Sequence, residues 1–274
     1  MSTTAPVSVV VPCYRCAATI VRAVSSVAAQ TQRPAELILV DDASGDETLQ
    51  QLYALQAHHG PWIKVIALAA NAGAASARNV GWNLATQPYI AFLDADDAWH
   101  SQKVEIQYGY MQQHPAVALS GHLCRQLLAG ARGTTNWPIA WTPGAVQSVT
   151  WSQLLLRHQF VTPSVMLKRE IGPRFFEGAR HMEDHRLWLE IVGTPLPTVR
   201  LQAELAAVYK PVYGASGLSA DMWRMEKAEL ANYRYFHGRG KLSMVQLFLL
   251  QGFSLVKFVR RLIIVRLLRR TCDV

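Results

Sequence analysis

The turn after the first apolar run contains no glycine: it reads Pro12-Cys-Tyr-Arg-Cys-Ala-Ala. A dinucleotide-binding fold needs G-x-G-x-x-G there, so NAD-type binding is excluded. No G-x-x-x-x-G-K occurs anywhere, which excludes a phosphate-cradling P-loop. Cysteine is scarce. Cys13, Cys16, Cys124 and Cys272 are too few for a disulfide framework in a chain of 274 residues. Cys13-x-x-Cys16 lacks the second pair a zinc site wants. His181-x-Glu183-x-His185 has histidines at i and i+4, but it is not the H-E-x-x-H zinc arrangement. The opening residues MSTTAPVSVVVP have neither a basic segment nor a long apolar one, so no signal peptide and a cytoplasmic location are expected. The longest uncharged apolar stretch late in the chain, 242–256, is 15 residues, short of the roughly 20 a spanning helix needs.

Charge is sparse (17 %) and half the residues are hydrophobic, so the chain can bury a core and is not disordered. The charge is also uneven. Residues 1–100 hold 5 Lys+Arg against 8 Asp+Glu, residues 101–240 hold 15 against 10, and residues 241–274 hold 7 against 1. An acidic front suits a metal or nucleotide site, and a basic tail suits an anionic surface.

Short apolar strands alternate with helical patterns through the first hundred residues. Val7–Val11, Leu37–Val40, Trp62–Leu68 and residues 89–93 read as strands. Helices are expected over 17–29, over 47–58 with Ser44 or Asp46 as cap, and after Asn71-Ala-Gly73. This β-α-β-α-β-α-β order predicts an α/β fold with a mostly parallel sheet flanked by helices and a ligand at the strands' carboxyl ends. Later helices are expected over 102–113, 151–158 and 183–192, with strands and loops over 116–150 and mixed structure over 200–219.

Two acidic clusters end two of these strands: Asp41-Asp42, and Asp94, Asp96 and Asp97 in YIAFLDADDAW. Left alone, such carboxylates repel one another. A parallel sheet brings them to one edge, where oxygen-only ligands suit Mg²⁺ or Mn²⁺ with substrate phosphates completing the shell. Near them, Tyr14 offers a face that can stack on a base, Asp42 an acceptor for a base N–H, and Arg78 a donor for a base carbonyl or a phosphate.

VSVVVPCYRCAATIVRAVSSVAAQT, ELILVDDASGDET, NAGAASARNVGWNLA and YIAFLDADDAW, in that order and spacing, resemble glycosyltransferase family 2. The resemblance is dense over 7–100 and sparser to about 219. It implies a GT-A fold and an inverting enzyme that uses a nucleotide sugar. Carried over by position, the nucleotide pocket falls on Pro12, Tyr14, the Asp41-Asp42 pair and Arg78. The D-x-D motif falls on Asp94-Ala95-Asp96, with Asp94 near the ribose and Asp96 holding the metal; the resemblance assigns Asp97 no role separable from these. The family's E-D pair resembles Glu183-Asp184, which implies Asp184 as catalytic base, with Glu183 and His181 on the acceptor side. VYKPVYGASGLS, 208–219, resembles a loop that closes over the diphosphate. There Lys210 stands for an arginine and Tyr213 for a histidine, and Ser216 and Ser219 are phosphate contacts.

The expected organisation is a catalytic domain over 1–235, divided into a nucleotide-binding half (1–100) and an acceptor-binding half (101–235), followed by a helical, apolar and basic segment over 236–274. Residues 241–270 suit peripheral contact with a membrane, although on a helical wheel their arginines do not form one clean face. The implied donor is an NDP-sugar, UDP-linked in the first instance, used with Mn²⁺ or Mg²⁺. The implied acceptor is a saccharide or lipid-linked saccharide of a bacterial surface polysaccharide. Two rivals fit less well. A metal-dependent nucleotidyl- or phosphotransferase wants an early basic loop, and 1–60 offers only Arg15, Arg22 and Arg33. A nucleic-acid-binding protein wants basic residues interleaved with aromatics on a fold face, whereas this excess lies in an apolar tail.

Overall fold

The computed structural model describes residues 4–127, 136–209 and 221–272, with side chains to 265. The chain divides into two compact units, Met1–Tyr209 and Lys210–Val274.

In the first unit, β1 (Ala5–Cys13), β2 (Pro34–Asp41), β3 (Ile63–Ala67) and β4 (Tyr89–Phe92) are parallel, in the order β3-β2-β1-β4. The β-branched run Val9, Val10 and Val11 is fully buried, as a central strand covered on both faces requires. Between these strands lie α1 (Ile20–Ala28), α2 (Thr48–His59) and α3 (Ala74–Leu84). Asp46 does not take the N-cap position of α2, which is Glu47, but from one residue earlier its Oδ1 accepts from the Thr48 N–H at 2.9 Å. Ser44 does not cap; its hydroxyl donates to Asp41. α3 lies hard against β1, and a Cβ on Gly81 would sit 2.4 Å from a methyl of Val10.

The sheet continues through β8 (Met166–Lys168), β6 (Leu119–Gln126), β9 (Thr198–Val208) and β5 (Ala98–Trp99), while β7 (Val146–Ser148) pairs with β9. This half is mixed. β4–β8, β8–β6, β9–β5 and β9–β7 are antiparallel, and β6–β9 is parallel. α4 (Lys103–Gln113), α5 (Trp151–Leu156) and α6 (Glu183–Val192) complete the unit. β9, 11 residues long, occupies much of the stretch whose sequence reads as mixed.

The first unit also contains a buried acid with a structural duty. Glu36 accepts from Ser8 Oγ (2.6 Å), the Thr86 N–H (2.6 Å) and Lys64 Nζ (2.6 Å). Burial raises its pKa, but Lys64, Ser8 and Thr86 outweigh that and hold it at about 2. It ties β1, β2 and β3 to the turn before β4.

The second unit is a helical hairpin, α7 (Met222–Gly238) and α8 (Met244–Cys272). Among the described residues no helix is long and apolar enough to cross a membrane.

Candidate active site

The chain order makes a crevice. From β1 the sheet extends to β2 and β3 on one side, then returns to β4 on the other, so the carboxyl ends of β1, β2 and β4 surround a switch point where α/β sheets bind ligands. Pro12 and Tyr14 lie at the end of β1, Asp41-Asp42 at the end of β2, and Asp94–Asp97 just past β4.

Asp42 is buried and occupied. Its Oδ1 accepts from the Ala72 N–H (2.7 Å), and its Oδ2 from the Gly73 N–H (2.8 Å) and Asn71 Nδ2 (2.9 Å). Asn71-Ala-Gly73 leads into α3, and Gly73, at φ 89°, adopts a backbone conformation that side chains disfavour. Asp42 therefore fixes the start of the helix that carries Arg78. Asp41 is buried too and accepts from the Ser44 hydroxyl, which in turn accepts from the Arg15 N–H at 3.1 Å. Both acids hold the loops of the crevice in place. Tyr14 stands at its mouth, 47 % exposed, with the Arg15 guanidinium 5.3 Å from its ring centre.

Arg78 is buried and bridges the two halves of the unit. Its Nη2 donates to Asp94 Oδ1 at 2.7 Å and its Nη1 to Glu183 Oε1 at 3.0 Å. Burial works against its charge, yet Asp94, Glu183 and Asp184 together raise its pKa above the usual arginine value. Glu183 moves the same way for a different reason: burial and the neighbouring Asp184 push its carboxyl above the usual range, against the pull of Arg78. Both Arg78 Nη atoms are thus engaged by carboxylates, and Glu183 faces Arg78 from a buried position.

Of the other strand-end acids, Asp96 is partly exposed, and its carbonyl oxygen accepts from Arg22. The Arg22 guanidinium also lies 3.7 Å from the ring centre of Tyr209. Asp97, buried, accepts from the Tyr209 N–H at 3.2 Å, which gives it a distinct role: it ties the end of β9 to the end of β4. Asp184 opens α6. Its Oδ2 accepts from the Thr162 hydroxyl at 3.1 Å and its Oδ1 from the His185 N–H at 2.7 Å. His185 is buried and stacks on His158 with ring centres 3.8 Å apart. His181 precedes Met182, which enters the helix with φ 58°, so the two histidines do not share a helix face. Cys13 and Cys16 are buried thiols, not a disulfide. Lys210, Tyr213, Ser216 and Ser219 lie outside the described residues.

Among the described residues no group of three or more His, Cys, Asp or Glu is placed to hold a metal. Asp96 and Asp94 offer carboxylate oxygens only. Such a donor set fits a hard cation that takes its remaining ligands from phosphate and water. Arg22, Asn71 and Thr162 are contributors that sequence reasoning missed. Asn71 alone carried a signal, sitting at the turn into α3.

The family model described as Glycosyl transferase family 2 matches residues 8–154. The UDP-Glc:alpha-D-GlcNAc-diphosphoundecaprenol beta-1,3-glucosyltransferase WfgD of Escherichia coli is 31 % identical over 186 residues, covering 68 % of this chain and 69 % of that protein. TuaG of Bacillus subtilis, a candidate teichuronic acid biosynthesis glycosyltransferase, is 31 % identical over 233 residues, covering 83 % and 87 %. Among solved structures, the mannosyltransferase PcManGT from Pyrobaculum calidifontis, in complex with GDP-Man and Mn²⁺, superposes with a TM-score of 0.66 at 17 % identity over 95 % of this chain and 75 % of that one. S. aureus TarS 1–349 in complex with UDP-GlcNAc gives 0.65 at 18 % identity over 93 % and 72 %. These two likenesses establish the fold, and it is the GT-A fold.

Proposed function

The chain belongs to glycosyl transferase family 2, and from that membership we propose an inverting hexosyl- or N-acetylhexosaminyltransferase. It moves a sugar from an NDP-sugar, UDP-linked in the first instance, to a saccharide on a lipid carrier during bacterial surface polysaccharide synthesis. The related WfgD is named for UDP-Glc and for a diphosphoundecaprenol-linked acceptor, which supports that choice. One observation carries the reading: Arg78 bonds Asp94 and Glu183 together, so the strand-end carboxylates and the Glu183-Asp184 pair form one site.

Tyr14 stacks on the base at the crevice mouth, between Pro12 and the loops that Asp41 and Asp42 hold. Asp94 lies on the ribose side and Asp96 on the diphosphate side. Asp96, with Asp94 beside it, would hold a divalent cation, which would supply positive charge for the leaving diphosphate. Lys210 follows β9 in sequence and adds a second positive charge for the phosphates. Asp184, its carboxylate oriented by Thr162 and the His185 N–H, takes the proton from the acceptor hydroxyl. That oxygen then bonds to the anomeric carbon as the bond to the diphosphate oxygen breaks, inverting the centre. Glu183 holds Arg78 in place, and His181 lies on the acceptor side. The reaction takes place at the inner face of the cytoplasmic membrane, where the lipid-linked acceptor is found.

A panel of nucleotide sugars, offered with Mn²⁺ or Mg²⁺ to the purified protein, tests this. Asp184→Asn is expected to lower transfer by about 10²–10⁴-fold while donor binding persists. Asp96→Asn is expected to abolish the metal dependence. If no nucleotide sugar binds, or if Asp184→Asn transfers at the full rate, the proposal fails.

A further inference from the structure

α8 has polar groups on its buried side and apolar ones on its exposed side. Toward α7 it turns polar groups: Ser254 Oγ donates to Glu226 (2.7 Å), Lys257 Nζ to Glu229 (2.8 Å) and Arg261 Nη2 to Glu226 (3.1 Å). Glu226 and Glu229 are buried, and Tyr233 also donates to Glu229 at 2.7 Å. The outward face is apolar. Nine large hydrophobic side chains from Met244 to Ile263 are 43–68 % exposed, half of the 18 such residues among the described ones. At 100° per residue, Val245, Leu249, Val256 and Ile263 fall within about 40° of one another, with Phe248 and Val259 on one flank. Leu247, Leu250 and Phe258 are buried on the other side, Phe258 against Trp223 of α7, so α8 is apolar on both sides with the polar network set into the buried one. That network explains why the basic residues form no face of their own on a wheel, since Lys257 and Arg261 are drawn inward by the α7 acids.

A line of apolar side chains needs a cover, and the charge beside it selects which. From Lys241 to Cys272 the sequence has seven Lys+Arg and no Asp or Glu. Arg260 is exposed among the apolar residues, and Arg266, Arg269 and Arg270 follow in the sequence. Two copies joined through this line would bring together basic segments with no carboxylate between them in either orientation. The helix is not apolar enough to cross a bilayer. An apolar line beside uncompensated cations matches the boundary between acyl chains and anionic headgroups.

We propose that α8 lies in the plane of an anionic lipid bilayer, with the Val245–Leu249–Val256–Ile263 line inserted among the acyl chains. The buried Glu226/Glu229 network sets the rotation of the helix that keeps this line outward. The inference does not depend on the donor or acceptor.

The test is co-sedimentation of the full chain with vesicles of phosphatidylglycerol and phosphatidylcholine, and with vesicles of phosphatidylcholine alone. The expected result is binding to the anionic vesicles and weak binding to the neutral ones. A Leu249→Ser/Val256→Ser double variant alters only exposed side chains, so it keeps its circular dichroism and its metal-dependent donor binding. It loses vesicle partition by at least about tenfold. Arg260→Glu weakens anionic-vesicle binding by about tenfold and leaves the neutral-vesicle signal unchanged. The inference is overturned if the unaltered chain stays in the supernatant, or if the double variant binds as well as the parent. It is also overturned if the chain elutes as a dimer that the double variant converts to a monomer without any vesicle binding, because a second copy then covers the line. Vesicle binding by a chain that turns over no nucleotide sugar would remove the proposed function and leave this inference standing.

Discussion

Arg78→Met keeps the length of the side chain and removes the charge that Asp94 and Glu183 share. Removing one partner of a buried ion pair costs about 3–5 kcal/mol, because the other charge is left buried. Glu183 bears that penalty almost whole, with 10 % of its side chain exposed, whereas Asp94 at 24 % keeps some solvent. We expect a loss of about 3–4 kcal/mol at neutral pH, equivalent to a fall in the urea midpoint of roughly 1–2 M. The loss depends on pH in a defined direction. Burial and Asp184 already raise the Glu183 carboxyl, and without Arg78 it rises further. A carboxyl raised in the folded state binds its proton more tightly there than in the unfolded chain. Its contribution to stability is therefore full below the unfolded pKa of about 4.3 and is lost as the pH climbs through the folded value. The Arg78→Met deficit should be small near pH 5 and grow toward pH 8. Adding Glu183→Gln should restore part of the loss at pH 8, since the amide leaves no charge behind. Urea titrations of the three proteins at both pH values measure this. Equal deficits at the two pH values, or a double variant no more stable than Arg78→Met, would refute the bridging role.

Two further substitutions probe groups outside the proposed chemistry. Asp97→Ala leaves the buried Tyr209 N–H without its 3.2 Å acceptor. It should lower stability by about 1–3 kcal/mol in thermal unfolding, and a variant as stable as the parent would remove the tie. Lys103 is fully buried, its Nζ has no hydrogen-bond partner among the described residues, and the amine lies 3.7 Å from the ring centre of Trp99. Burial pulls its pKa well below the usual lysine value, so keeping it inside the fold carries a cost that is largest at low pH and fades toward the unfolded value of about 10.4. Lys103→Met should stabilise the chain by about 1–3 kcal/mol at pH 7, with the gain shrinking toward pH 10, and a lower melting temperature would contradict that.

The first four strands and three helices were legible because each is local: an apolar run, a turn, then a 3.6-residue period. The convergence of Asp42 and Asp94 followed from parallel topology alone. The mixed half was harder to read. β8 is 3 residues long and β5 is 2, and their partners lie far away in the chain, so no local period marks them. Within the candidate site, residue types were readable but allegiances were not. Arg78 is a helix arginine like any other until the fold brings Glu183 beside it, 105 positions later. For α8 the sequence marks an apolar, basic helix without one clean face, and which side faces outward depends on the acids of α7, which no local pattern reveals.

Arg78 also constrains how such a chain can be recombined. Its segment up to residue 100 supplies the arginine and Asp94, while the later segment supplies Glu183. Chimeras that join the first hundred residues of one relative to the later segment of another would take Arg78 and Asp94 from one parent and Glu183 from the other. Such exchanges can redirect specificity only between parents that match at these three positions. Elsewhere the graft would carry an orphaned charge into the centre of the new enzyme.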